Sequence, residues 1–328
     1  MHMRDKKAME IGGYIEFETY AGRMLHGDGI LLNCGRNALA YLIEVNHITD
    51  ICMPAFMCDS CDAVLAAYGV RVRYYSIDEA FHVPDIVLRE GEWLYAVNYY
   101  GQLSRDYIKA LKGKYGRLIL DNAQAYFCDP IEGIETIYTC RKFFGVADGA
   151  ILYSSRKIER PLEQDVSFNR MEYLLGRFEI SASQFYEKYV ENNRLFGQEK
   201  IKRMSKLTEN LLRGIDYDAV SRKRTDNFLY LHDRLKTQNR LSVKPVDGAF
   251  MYPFYVENGE RIRKRLQEQK IYIPILWPAV FDRCTEDDLE FRLARDILPL
   301  PVDQRYGREE MDVLINALQR ELDKQRGE

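Results

Sequence analysis

Short apolar runs alternate with segments of helical spacing through the first half of the chain. Between about residues 30 and 155 the runs are 29–34 (GILLNC), 50–56 (DICMPAF), 70–77 (VRVRYYSI), 93–100 (WLYAVNYY), 117–122 (RLILDN), 135–140 (ETIYTC) and 149–155 (GAILYSS). Several are apolar at consecutive positions, so both faces are buried, as in strands inside a parallel sheet. The stretches between them at 37–47, 59–68 and 104–115 space apolar residues as amphipathic helices do. The alternation predicts an α/β domain with a mostly parallel sheet flanked by helices.

The pattern changes after Ser155. Residues 158–236 are rich in charge and in Tyr, Leu and Phe, with no Pro after Pro161, and read as mostly long helices. Strand-like runs return from about Lys244 at 249–256 (AFMYPFYV) and, after a helix at 260–270, at 271–277 (IYIPILW). A last helix is predicted over about 308–324. This is a small α+β C-terminal domain on a large sheet domain, divided as 1–215 and 216–328. No internal repeat or low-complexity stretch is visible.

Composition narrows the classes. The 328 residues are 46% hydrophobic and 30% charged, enough apolar surface for a sizeable core. A net charge of -3 points to no polyanionic partner such as nucleic acid, though it leaves room for a local basic patch. The longest apolar stretch, near 272–281, is interrupted by Pro274 and Pro278 and is half the roughly 20 residues of a membrane span. The charged opening MHMRDKKAMEIGG is not followed by a secretory core segment. Seven scattered cysteines, an odd number, read as reduced thiols of a cytoplasmic protein.

Three segments can carry chemistry, each at the carboxyl end of a predicted strand, where open α/β sheets bind ligands. At 33–38 (NCGRNA) a strand gives way to a helix through Gly35 and Arg36; the helix start would suit a phosphate, or this is an ordinary strand-to-helix turn. At 118–124 (LILDNAQ) Asp121 closes a buried strand, which is costly without a partner. A pyridinium N–H is one such partner and a helix cap is the other; Gln124 could reach the phenolic oxygen of the same ring. At 139–145 (TCRKFFG) Lys142 follows a strand and precedes a glycine turn. It is either a Schiff-base lysine held over a cofactor or a solvated loop lysine.

Taken in order, the phosphate turn, Asp–x–x–Gln and a lysine 21 positions after the Asp resemble the sugar aminotransferases of the DegT/DnrJ/StrS type, in the fold-type-I superfamily dependent on pyridoxal 5'-phosphate (PLP). The resemblance covers most of the chain, including 50–78, 95–127 and 138–153. The C-terminal stretch and MCDSC resemble a shorter branch. The resemblance implies that Lys142 holds PLP covalently, Asp121 contacts the pyridine nitrogen and Gln124 the ring hydroxyl. It further implies that Gly35, Arg36 and Thr139 lie on the phosphate. It implies a homodimer that moves an amino group from glutamate to a keto sugar, nucleotide-linked, in cell-surface polysaccharide or secondary-metabolite synthesis.

Three departures bear on the substrate. The family's ring-stacking aromatic, four positions after Pro54, is Cys58 here, with Phe56 as a substitute. Arg36 replaces a small hydroxyl residue. Ser167–Met171 (SFNRM) is the nearest counterpart of the segment that contacts phosphate and sugar across the subunit interface. Two alternatives follow: other PLP chemistry (dehydratase or lyase) on the same fold, or a non-catalytic homologue acting as a binding partner. Sugar dehydratases of this family replace the lysine, so Lys142 favours transfer.

Other signals point to no further site. Cys58-x-x-Cys61 has redox or zinc spacing, but zinc needs two more ligands and no second CxxC or HxxxH occurs; the pair is expected at the start of a helix lining the pocket. No metal site is expected. His2, His26, His47, His82 and His232 are isolated, and HExxH, GxSxG, GxGxxG and GxxxxGK[ST] are absent. Trp277 and Tyr272 read as packing.

Overall fold

Each apolar run of the first half pairs into one seven-stranded sheet: β1 (Ile30–Leu32), β2 (Asp50–Pro54), β3 (Arg71–Tyr75), β4 (Trp93–Val97), β5 (Leu118–Asp121), β6 (Glu135–Thr139) and β7 (Ala150–Tyr153). The computed structural model describes residues 11–327; the charged opening, with His2, lies outside the described residues. The strand order is β1-β7-β6-β5-β4-β2-β3. Strands β2 to β6 run parallel, whereas β7 is antiparallel to both β6 and β1. Two reversals restore direction, so β1 points the same way as β6. The carboxyl ends of β1, β2, β4, β5 and β6 therefore share one edge of the sheet.

The central strands are sealed on both faces: every residue of β2 and β5 is buried. At the edge, β3 exposes Arg71 and Tyr74, and its charges blunt a strand that would otherwise invite pairing. Helices α1 (Gly35–Asn46), α2 (Asp59–Ala67) and α3 (Arg105–Tyr115) cover the sheet. Ser104 caps α3 by accepting from the Tyr107 amide.

Residues 158–236 are helical but more broken than expected, as α4 (Glu172–Glu179), α5 (Tyr186–Leu195), α6 (Lys206–Arg213) and α7 (Tyr217–Leu235). Only α7 is long. The breaks fall at capping residues: Ser205 accepts from the Thr208 amide and Asp216 from the Ala219 amide, so each starts a new helix.

Beyond α7 a second, two-stranded sheet forms from β8 (Met251–Tyr255) and β9 (Ile297–Pro301), with α8 (Gly259–Glu268), α9 (Val280–Arg283), α10 (Leu289–Asp296) and α11 (Arg308–Gly327) around it. The strand expected at 271–277 is irregular chain instead; Pro274 removes a ladder donor there. Its place is taken by β9, which has two prolines of its own. The register shows why β9 tolerates them. Met251 faces Pro301 and Pro253 faces Pro299, so all three prolines fall on pairs of one parity. The alternate pairs, Tyr252 with Leu300 and Phe254 with Leu298, keep their N–H groups for the ladder, and their side chains are fully buried.

Two cores result. The larger lies around the seven-stranded sheet and takes in Trp277, Val280 and Leu293; the smaller joins α7, α8 and α11 to β8 and β9 through residues such as Phe228, Phe254, Leu266 and Leu318. Among the described residues no helix is long and apolar enough to cross a membrane.

Candidate active site

The shared carboxyl edge gathers the three segments singled out in the sequence. Asp121, the last residue of β5, is buried between Val97 of β4 and Ile137 of β6. Both its oxygens are engaged: the Tyr95 hydroxyl donates to Oδ2 at 2.9 Å and the Ala123 amide to Oδ1 at 2.8 Å. Two donors on a buried carboxylate offset its desolvation and fix its orientation. Tyr95 lies two residues before the end of β4, on the face it shares with Val97, so its ring crosses to the neighbouring strand. It was not found in the sequence, because its partner is set by the β4–β5 register.

Gln124 is also buried, and its Oε1 accepts from the Tyr100 amide at 2.9 Å. Tyr100 has a left-handed backbone, φ 52°, which turns that N–H toward the side chain. With its acceptor oxygen engaged, Gln124 presents its NH2 as a donor, the group a phenolate oxygen needs.

The first turn of α1 packs directly on the end of β6. A Cβ at Gly35 would lie 2.8 Å from Thr139 Cγ2, so only glycine lets these two segments approach. Thr139 Oγ1 donates to the Ala123 carbonyl at 3.4 Å, which links β6 to the Asp121 segment. Arg36 donates to the Asn193 carbonyl at 3.1 Å, and Arg141 to Asn193 Oδ1 at 2.7 Å. One residue of α5 thus holds two guanidinium groups beside the start of α1. Arg141 and Asn193, like Tyr95, are tertiary partners that no spacing in the sequence marks.

Lys142 sits in the turn between β6 and β7 and is exposed. Its ammonium lies over the Phe250 ring, 5.6 Å from the centroid, and among the described residues it makes no hydrogen bond or ion pair. Its turn, by contrast, is clamped from below. Fully buried Arg224 of α7 donates to the carbonyls of Phe143 (3.1 Å) and Ala249 (3.0 Å) and to Gln304 Oε1 (2.8 Å). Buried Asp148, at the far end of the turn, accepts from the Ser205 amide and hydroxyl at 2.7 Å each.

Cys58 joins this group as the N-cap residue of α2. It feels both the Lys142 ammonium and the Asp121 carboxylate, and its thiol is held down to about 6, first by the hydrogen bond from Cys61, then by Ser60 and Lys142, against the opposing pull of burial. Phe56 lies two residues beyond β2. It is fully buried, its ring is 4.2 Å from that of Trp277, and its carbonyl accepts from the Tyr99 hydroxyl. Trp277 packs against Phe56, Tyr99 and Tyr100. Of the 167–171 segment, Arg170 pairs with Asp165 at 2.6 Å and stacks over Phe196, while Phe168 is exposed.

The edge as a whole therefore offers a buried carboxylate, an amide donor, a helix start with nearby guanidinium groups, and an unpaired lysine. No protein-family model and no curated protein matches the sequence. Solved structures do match across nearly the whole chain. A DegT DnrJ EryC1 StrS aminotransferase from Brucella abortus is 14% identical, with a TM-score of 0.60 over 88% of this chain and 84% of that one. DesI, crystallised in the presence of its TDP-sugar product, is 14% identical, with a TM-score of 0.62 over 92% and 83%. NtdA from Bacillus subtilis, with bound cofactor PMP, is 14% identical, with a TM-score of 0.61 over 89% and 72%. The chain has the fold of these proteins: an α/β large domain with a mostly parallel sheet, followed by a smaller C-terminal α+β portion.

Proposed function

We propose that the protein is a PLP-dependent aminotransferase that moves an amino group from an amino acid, glutamate, to a keto sugar carried on a nucleotide. The observation that carries this reading is the meeting of Asp121, Gln124, Gly35–Thr139 and Lys142 on one sheet edge, in a fold shared with an aminotransferase, a TDP-sugar-binding protein and a PMP-bound protein. The residues fit the cofactor. The α1 start, held close against Thr139 by Gly35, suits a phosphate through its free backbone N–H groups, with Arg36 and Thr139 beside it. The doubly held Asp121 suits a pyridinium N–H, and the Gln124 amide suits the ring oxygen.

When bound, PLP supplies an electron sink for the bond-breaking carbon of the amino substrate. The residues of this chain do the rest. Asp121 would keep the ring nitrogen protonated. Lys142, exposed and unpaired, would hold the cofactor and would carry a proton at Nζ to and from the substrate carbon. Arg224 and Asp148 hold its turn at a fixed height above the sheet.

Residues 1–215 are read as the PLP-binding unit and 216–328 as the smaller one. A homodimer is supported by a cluster of exposed apolar side chains on and around α4 and α5, including Phe168, Leu175, Phe178, Ile180 and Tyr186, since isolated monomers rarely expose large apolar patches. The free state of all seven cysteines supports a cytoplasmic setting. A place in cell-surface polysaccharide or secondary-metabolite synthesis follows from the sugar acceptor, and the net charge of -3 speaks against nucleic acid as a partner. The test is to supply PLP, glutamate and a panel of nucleotide-linked keto sugars and to follow 2-oxoglutarate. Formation beyond one equivalent per subunit that depends on both sugar and Lys142 is expected, since the donor half-reaction alone releases a single equivalent. Turnover of glutamate without any sugar acceptor would remove the sugar from the reading.

A further inference from the structure

Seven cysteines lie in the chain, and their surroundings divide them sharply. Burial pushes the thiols of Cys34, Cys52, Cys128 and Cys284 up to about 11, and that of Cys140 higher still. Cys58 alone moves the other way, to about 6. The cause is local architecture. Cys58 stands in extended conformation (φ -76°, ψ 155°) at the head of the nine-residue helix α2, and Cys61 lies in the first turn of that helix. The Ser60 hydroxyl lies 2.8 Å from the Cys58 sulfur, and the Cys61 thiol, three residues on in the first turn of α2, is the main influence that lowers the Cys58 thiol. The Lys142 ammonium adds a positive charge from the next segment.

Exposure is divided in the same way. Cys58 is partly exposed, whereas Cys61 is buried at 7%. The start of α2 is held in place by Arg283 of α9, which donates to the carbonyls of Ala55 (3.0 Å) and Met57 (2.8 Å) and pairs with Asp62. A chemical change at the two sulfurs therefore need not unfold the segment that carries them. Zinc is a poor occupant. Among the described residues no third His, Cys, Asp or Glu completes a metal-holding group, and a structural zinc site takes four ligands.

We propose that Cys58 and Cys61 form a reversible dithiol–disulfide site beside Lys142, oxidised by hydrogen peroxide or a related peroxide. The accessible Cys58 thiolate attacks one peroxide oxygen, the O–O bond breaks, and Cys58 becomes a sulfenic acid as hydroxide leaves. The buried Cys61 thiol then attacks the Cys58 sulfur; the S–S bond forms, the S–O bond breaks, and water departs with the Cys61 proton. Both thiols are oxidised by two electrons in total and the peroxide is reduced to two waters. A dithiol reductant reverses the change. In the reduced state Cys58 presents an anionic sulfur to Lys142; in the disulfide that charge is gone. The consequence for cofactor binding rests on the PLP reading above, whereas the thiol chemistry does not.

The test uses the full chain, reduced and free of cofactor, with one equivalent of hydrogen peroxide. Two of the seven thiols should disappear, a peptide joining Cys58 to Cys61 should be found by mass spectrometry, and dithiothreitol should restore both thiols. Cys61→Ser should trap Cys58 as a sulfenic acid captured by dimedone, and Cys58→Ser should lose no thiols under the same conditions. Retention of all seven thiols, or a bridge joining other cysteines, overturns the proposal. A parallel sample preincubated with PLP separates the two ideas. Protection of Cys58 from peroxide supports both; oxidation that PLP does not slow leaves the thiol pair standing and counts against the cofactor's place.

Discussion

The two sides of the carboxyl-edge site are built on opposite principles. Asp121 and Gln124 are buried and hydrogen-bonded at their acceptor oxygens. Lys142 and Cys58, facing them, are wholly or partly exposed, and Lys142 has only the Phe250 ring beneath it. The groups that must keep one position are saturated with partners. The groups that would make and break bonds are left free, while the backbone beneath them is clamped. Pre-organisation here lies in the floor and in the turn, not in the reactive side chains themselves.

Breaking the free side should have the largest consequence. Lys142→Ala is expected to lower amino transfer on the order of 10²–10⁴-fold, the range of a lost proton-transfer group, with little change in the denaturant midpoint, because the side chain is exposed and unpaired. Breaking the clamp should do the reverse. Arg224→Ala strips donors from the Phe143 and Ala249 carbonyls and opens a cavity, for a cost of about 3–5 kcal/mol in denaturant unfolding.

Smaller effects sharpen the contrast. Tyr95→Phe keeps the ring volume and removes one donor from Asp121. It should cost about 1.5–3 kcal/mol, the range for a hydrogen bond to a charged group, read from the urea midpoint. The smallest effect is a matter of pH. Alkylation of Cys58 by iodoacetamide should rise with a midpoint near pH 6, where its thiol is held, and Cys61→Ala, which removes the neighbouring thiol donor, should move that midpoint upward. Because the folded-state value lies below the ordinary thiol value of about 8.5, the thiolate's contribution to stability is full above that value and is lost as pH falls through about 6.

Much of this was legible in the sequence because it is local. The seven strands of the main sheet stand out, since burial on both faces writes continuous apolar runs. The linear order of Gly35, Asp121, Gln124 and Lys142 anticipates which segments share an edge. What was hidden depends on register or on distant segments. Tyr95 meets Asp121 only through strand pairing, Arg224 reaches the lysine turn from α7, and Asn193 ties Arg36 to Arg141 from α5. β9 was masked by Pro299 and Pro301, which disqualify a strand unless the register is known.

The central claim is that Lys142 holds PLP above Asp121, and the visible absorbance spectrum tests it most directly. Purified protein incubated with PLP should gain a band that borohydride abolishes and that Lys142→Ala lacks, and glutamate should bleach it. A band that glutamate leaves untouched would point to other PLP chemistry on this fold, and a wild-type spectrum no different from that of Lys142→Ala would contradict the account.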